Sequence, residues 1–333
     1  MPKAAVPKLP QLLERKIYKT GQTRGADDDE IYQNRVSRTS TVLIPYLLWD
    51  QISRPPDGEQ KFENGFIALI SPIHYFGTPG IADHLATQGL TLGQNAVVFY
   101  QTRAEWLANN PATSGWEPAK QRRSPLGGQY VARIPATTAV ANGERIIRGF
   151  DTTANKGAGI RLFEYASAKV INECRMQLEG LFWTCRDSIE VATANGMSAE
   201  AATARAAHSL QQCEAAGLLD LQRLRAARIV NAEGKSMCPL CLQELSAQGF
   251  FSRVAQAEGR EVNDLTITQL NLFHISELRY GTYNHRPYNL GWGHHHCNVV
   301  VKDSGIMETL EWMHAVVECN IKDGHFAPAK SRS

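Results

Sequence analysis

No apolar run in this sequence approaches the roughly 20 residues needed to cross a bilayer; runs such as residues 43–45 and 299–301 end within a few positions. The first ten residues, MPKAAVPKLP, lack the apolar core of a secretory signal. There is no internal repeat, no low-complexity tract and no excess of charge of one sign: 35 Lys+Arg face 33 Asp+Glu, a net of +2 in 333 residues. These absences exclude a membrane-spanning helix, a collagen-like chain and a disordered acidic or basic tail. They point to a soluble intracellular protein. At about 150 residues per domain, the length allows about two domains.

The near-neutral total conceals an asymmetry. Residues 1–225 carry 25 basic and 22 acidic side chains, whereas residues 226–333 carry 10 and 11. Within the first 25 positions Lys3, Lys8, Arg15, Lys16, Lys19 and Arg24 stand against Glu14 alone. A local basic surface is therefore compatible with the overall balance. The seven cysteines are odd in number and follow no export signal, which argues against a disulfide framework. Cys174, Cys185, Cys213 and Cys319 fall in helix-like segments and read as buried apolar thiols.

Three regions differ in character. Residues 1–160 read as a β-rich domain with long loops. In it Thr41-Val-Leu-Ile-Pro45, Phe66-Ile-Ala-Leu-Ile70 and Ala96-Val-Val-Phe-Tyr100 are buried strands bounded by Gly, Pro and Asp. Residues 161–230 contain no Pro and are rich in Ala, Leu, Glu and Arg. Leu162, Ala166, Val170, Cys174 and Leu178 would share a helix face, Asn195-Gly196 breaks the run, and Ser198 caps the next helix. This region reads as a helical spacer or support. Residues 231–333 begin with a Cys-rich knuckle. A helix over residues 243–258, a strand near 270–275, a second hairpin arm and a closing helix near 305–317 should follow. In that last helix Ile306, Leu310, Met313 and Val317 share a face that reads as core. The expected fold class is α+β.

Cys238-Pro-Leu-Cys241 and the later His294-His-His-Cys297 are two pairs with the spacing of a zinc knuckle. A lone C-x-x-C arises by chance or in redox pairs; the second pair is what makes tetrahedral zinc the better reading. Three thiolates and an imidazole leave no open position, so the site should be structural. The sequence leaves His294, His295 and His296 as rival ligands.

Between these pairs runs Phe273-His-Ile-Ser-Glu-Leu-Arg-Tyr-Gly281, followed by Asn289-Leu-Gly-Trp-Gly-His-His-His-Cys-Asn298. This segment resembles the HNH, or ββα-metal, nuclease family. That family joins a His-Ile-x-x-Leu strand and a Gly-containing turn to an Asn-Leu some fifteen residues on, and then to a knuckle ending in Cys-Asn. The resemblance implies phosphodiester hydrolysis with His274 as general base, Asn289 holding its other ring nitrogen, and Asn298 among the ligands of a Mg²⁺ ion. Histidine suits the base role because imidazole titrates near working pH. The family places Asp or His just before the base, and here that residue is Phe273. His285 and Asp264 are possible substitutes, or His274 is itself the ligand, leaving His285 or Tyr283 as base.

Arg15, Lys16, Lys19, Gln22 and Arg24, then Arg35 and Arg38, then Lys120, Arg122 and Arg123 mix cations with amides and hydroxyls. That mixture suits contacts with DNA phosphates and base edges, although a solvated surface would carry it too. Residues 15–45 also make the whole chain similar to type II restriction endonucleases of the BstXI type. The resemblance implies a site-specific nuclease of the prokaryotic cytoplasm, acting on double-stranded DNA as a homodimer at an interrupted palindrome. A modification-dependent or homing-type HNH nuclease, and a zinc-knuckle DNA binder that does not cut, are the rival readings.

Overall fold

The computed structural model describes residues 6–21, 36–55, 61–134, 140–141, 143–150, 158–254, 268–279, 281–302 and 304–327. Gln22, Arg24, Arg35 and Asp264 lie outside these. The chain clusters into two compact units. A sheet unit comprises Gly21–Ile171 with Arg279–Tyr283, and a hairpin unit comprises Met1–Thr20, Asn172–Leu278 and Asn284–Ser333. The first helix, α1 (Gln11–Lys19), thus clusters with the C-terminal half of the chain.

The sheet unit is built on β1 (Val42–Pro45), β2 (Phe66–Ile70), β3 (Ala96–Tyr100), β4 (Tyr130–Ala132) and, beyond a small ribbon of β5 (Val140–Ala141) and β6 (Glu144–Arg145), β7 (Ile160–Arg161). The order is β4-β3-β2-β1-β7 and every pairing is parallel. Side chains alternate across the strands. Val42, Ile44, Ala68 and Ile70 pack into one core, and Leu43, Ile67, Leu69, Val97 and Phe99 into another. A parallel sheet covered on both faces needs such unbroken apolar strands, which is why the sequence shows continuous runs there. The strands lie where the sequence predicts them, but the unit is an α/β layer rather than a β-rich body with loops. Short helices connect the strands: α2 (Trp49–Ile52), α3 (Pro72–Gly77), α4 (Ile81–Thr87) and α5 (Arg103–Ala108). At four to seven residues they are too short to declare a 3.6-residue period.

The helical region consists of α6 (Ala168–Trp183), α7 (Ser188–Ala194), α8 (Ala199–Ala215) and α9 (Leu221–Ala226). Ser198 caps α8 by accepting the Ala201 N–H at 3.1 Å, as its position predicts. The helix that the periodicity runs through Leu162 and Ala166 starts only at Ala168. Leu162 sits in a 3₁₀ turn, and the Ala166 N–H bonds to the Arg38 carbonyl instead. The helix predicted over residues 243–258 does not form in its described part. Leu242 has φ +59°, and Ser246 accepts the Gln248 N–H to open a 3₁₀ turn over Ala247–Phe250. Asp187 holds that turn through Ser246 Oγ and the Ala247 N–H. Phe250 is thereby seated edge-on between Phe182 and Trp292. A tertiary carboxylate and an aromatic slot override the local propensity.

The chain then forms β8 (Leu270–His274) and β9 (Leu290–His294), an antiparallel pair in which Leu270 faces His294 and His274 faces Leu290. Helix α10 (His295–Val301) follows directly and packs on both strands, and α11 (Ile306–Lys322) closes the unit. Among the described residues no helix is long and apolar enough to cross a membrane.

Candidate metal centre and nuclease site

The knuckle residues converge. The ligand atoms of Cys238, Cys241, His294 and Cys297 all lie within 4.8 Å of one another, and His294 Nδ1 is 3.3 Å from Cys241 Sγ. Tetrahedral zinc with arms of about 2.0–2.3 Å holds its donor atoms roughly 3.5 Å apart. The set therefore suits zinc in donor type, number and proximity. His294, the last residue of β9, supplies the imidazole. His295 instead turns Nδ1 to the Asn271 side-chain amide at 3.1 Å, and His296 is exposed.

Electrostatics agree with a site made for a cation. Burial alone would raise the Cys238 thiol, but hydrogen bonds from the His294 imidazole and from backbone amides, including those of Cys241 and Leu240, bring it to about 6. Burial and the neighbouring thiols push Cys297 up to about 12 and raise Cys241. The hydrogen bond to Cys238 raises His294. Three crowded sulfurs cannot all ionise without a compensating charge.

The hairpin carries the other predicted residues. Phe273 is fully buried, and a Cβ at Gly293 would sit 2.5 Å from its ring. Glycine at 293 thus leaves room for a core phenylalanine, whose side chain offers no ligand. His274, one residue on, is half-buried at the end of β8, with Nε2 3.3 Å from His285 Nδ1. His285 is 1 % exposed. One of these two nitrogens must be an unprotonated acceptor, since neither donates to the other otherwise.

The family resemblance implies that Asn289 meets the His274 ring. Instead Asn289 braces the intervening loop: its amide donates to the Ser276 and Asn284 carbonyls at 3.1 and 2.7 Å, and its oxygen accepts the Ser276 N–H at 2.8 Å. Asn298 is half-buried on α10. Tyr283 belongs to the sheet unit, where its hydroxyl donates to the Arg54 carbonyl at 3.2 Å and burial pushes it up to about 12. That environment does not suit a base.

Sequence reasoning missed several supports of this hairpin. The Gln177 side chain, wholly buried on α6, donates to the Leu218 carbonyl and accepts the Tyr288 N–H, each at 2.8 Å. It thereby holds Tyr288 at φ +64° just before β9. The Arg223 guanidinium stacks 3.7 Å from the Tyr288 ring centroid, and Trp292 Nε1 donates to the Leu178 carbonyl at 2.8 Å. None of these pairs has a local sequence signal.

The predicted DNA contacts divide. Lys16 is 6 % exposed, and its ammonium donates to the Leu270 carbonyl at 2.8 Å and to Asn271 Oδ1 at 3.3 Å, so it anchors α1 to β8. Arg38 is equally buried and donates to the Glu164 carbonyl at 3.2 Å. Both expectations of a phosphate contact are corrected: a cation held on a buried carbonyl is not presented to solvent. Arg15 is exposed on α1, and Lys19 is half-buried there. Lys120 is exposed beside Glu117 at 3.8 Å. Arg122 and Arg123 line a hollow of about 520 Å³ in the sheet unit, with Glu63, Asn64 and Ser124. This hollow joins donors with acceptors, as a surface that reads base edges would. If these arginines neutralise DNA phosphates, changing both to Ala should weaken binding. It should also flatten the slope of log affinity against log salt by about 0.9 for each phosphate left without its arginine. An unchanged slope in a salt titration removes them from the interface.

Among known proteins, the model of the family described as BstXI restriction endonuclease matches residues 15–295, most of the chain and parts of both units. No curated protein and no solved structure matches it.

Proposed function

We propose, from the premise that this chain belongs to the BstXI restriction endonuclease family and is a type II restriction enzyme, a site-specific DNA nuclease, that it cuts by a one-metal HNH mechanism. The carrying observation is the antiparallel β8–β9 hairpin followed by α10, which joins a Cys₃His cluster to a strand ending in His274. In this reading Cys238, Cys241, His294 and Cys297 hold a structural zinc that ties the knuckle to the second arm of the hairpin. His274 takes the proton from the attacking water, and His285 orients its ring. Asn289 keeps the loop that carries His285 closed.

Asn298 is a candidate ligand for Mg²⁺, which when bound would polarise the scissile phosphate and stabilise the departing oxygen. Phe273 removes the family's second ligand. Magnesium is usually held by one or two carboxylates together with water and substrate phosphate, so with Phe273 in that place a further side chain would have to join the Asn298 amide and the DNA phosphate. The sheet unit, with Arg122 and Arg123, would contribute sequence recognition. The protein would act in the prokaryotic cytoplasm on double-stranded DNA as a homodimer.

Phe273 is the feature that favours a binder without cleavage; membership of a nuclease family speaks against it. Plasmid DNA incubated with the protein should yield discrete fragments with Mg²⁺ and none with EDTA. Sequencing the ends should return one motif. Methylated and unmodified plasmids digested in parallel separate restriction from modification-dependent cutting. Fragmentation that persists in EDTA would sink the one-metal mechanism, and random ends would sink site specificity.

A further inference from the structure

The periodicity of α11 predicts that Ile306, Leu310, Met313 and Val317 form a buried face. Only the beginning of the helix is buried. Ile306 and Thr309 are buried, Leu310 is half-buried, and every residue from Glu311 to Ala327 is exposed. Three turns of helix therefore stand clear of their own unit, and a helix of that length is marginal in water without tertiary packing.

The exposed surface is sorted by chemistry. Met313, Val316, Val317 and Ile321 recur at three- and four-residue spacing, with Trp312 on their flank, 59 % exposed. Glu311, His314, Glu318 and Lys322 form the opposite stripe, within which His314 Nε2 lies 3.3 Å from Glu318 Oε1. The apolar stripe continues the buried start of the helix without a formal charge.

We infer that this stripe of α11 is the surface through which a second copy of the chain pairs, the two helices packing across a twofold axis near Val316 and Val317. The inference rests on the restriction-enzyme reading, because cutting both strands at one palindrome calls for two His274-bearing hairpins related by twofold symmetry. A twofold contact uses the same patch on both partners and must be self-complementary. An uncharged apolar stripe meets that condition, and the polar stripe on the far side brings no like charges face to face. Glu308, Glu311, Glu318 and Asp323 outnumber Lys322, so DNA or an anionic lipid surface is a poor occupant. The five apolar side chains expose on the order of 500 Å², as large as the largest apolar patch of a typical monomer, which is often functional. Doubled across the axis, the area comes to about the 1,000 Å² that a specific interface needs.

Sedimentation velocity of the full chain at micromolar concentrations tests the pairing. The wild type should sediment as a dimer. The double variant Trp312→Glu, Val316→Glu should dissociate at least tenfold more readily, with zinc content unchanged because both sites are exposed in the single chain and lie outside the Cys₃His cluster. On supercoiled plasmid the variant should accumulate nicked circles where the wild type yields linear DNA. Hydrogen exchange on the wild type is an independent measurement that does not depend on the variant folding: protection of residues 312–321 should rise with protein concentration. A wild type that stays monomeric, a variant that dimerises as tightly as the wild type, or protection that ignores concentration would each overturn the inference. Failure of the nuclease reading looks different: a dimer held by α11 that does not cut.

Discussion

His274→Ala is expected to leave a folded protein that binds its DNA site and cuts it between about a hundred- and ten-thousandfold more slowly. That is the range over which a positioned general base accelerates proton transfer. The argument starts from the register of the hairpin. Phe273 points into the core and His274 does not, so the imidazole lies at the half-buried edge where β8 ends. Its Nε2 is shared with His285 Nδ1 at 3.3 Å, which limits how the ring can turn. Truncation removes the base but not the strand, because the ladder bonds of β8 are made by backbone. Single-turnover cleavage, DNA affinity and the melting temperature should be measured on the same preparation. Cutting at the wild-type rate by the variant refutes the base assignment. Loss of DNA binding alongside cutting would assign His274 to substrate binding instead. His285→Ala provides the companion measurement: a residue that orients another should depress the rate less than removal of the base itself.

Cys238→Ser should abolish stoichiometric zinc and unfold the hairpin unit at ordinary temperature. Structural zinc contributes on the order of 10 kcal/mol to the folding of small metal-bound units, comparable to the whole stability of a typical domain. Few local contacts can replace it, since Cys238 lies in a short turn that shares only Cys241 with it, and the other two donors come from β9 and α10. A serine hydroxyl is a poor zinc ligand, and it would leave two thiols and an imidazole crowded without a cation. Metal analysis and calorimetry check this. The transition of the hairpin unit should fall or vanish, and cleavage should be lost with it because β9 loses its tether. Zinc content and a melting profile equal to the wild type would refute the structural role.

The parts of the protein that could be read in advance are those whose physics is local. Apolar runs in β1, β2 and β3 declare buried strands because a parallel sheet covered on both faces admits nothing polar. Ser198 declares a helix start because its hydroxyl serves an amide three residues away. The Cys238/Cys241 and His294/Cys297 spacings declare a cluster able to hold a metal ion, because one turn of a knuckle brings two donors to one side. The first arm of the hairpin is equally legible, a strand expected near residues 270–275 and formed at Leu270–His274.

What could not be read depends on partners distant along the chain. Lys16 and Arg38 have the composition of phosphate contacts, yet their charges are held by carbonyls 254 and 126 residues away. Residues 243–250 have helical content, but Asp187 and the slot between Phe182 and Trp292 impose a turn. His285 meets His274 from a loop that Asn289 braces through the Asn284 carbonyl. Met313 and Val317 carry the periodicity of a core face and are exposed all the same.

The sequence by itself determined which residue types come together: three cysteines and a histidine able to hold a metal ion, a hairpin that bears a second histidine, and a body whose buried strands it located without showing their α/β layering. Side-chain type and spacing along one segment decide ligand chemistry. The tertiary structure alone decided which histidine joins the three cysteines, which of the predicted cations are buried on carbonyls, and which apolar stripe of α11 is exposed. Those outcomes turn on burial, and burial belongs to the packed chain as a whole.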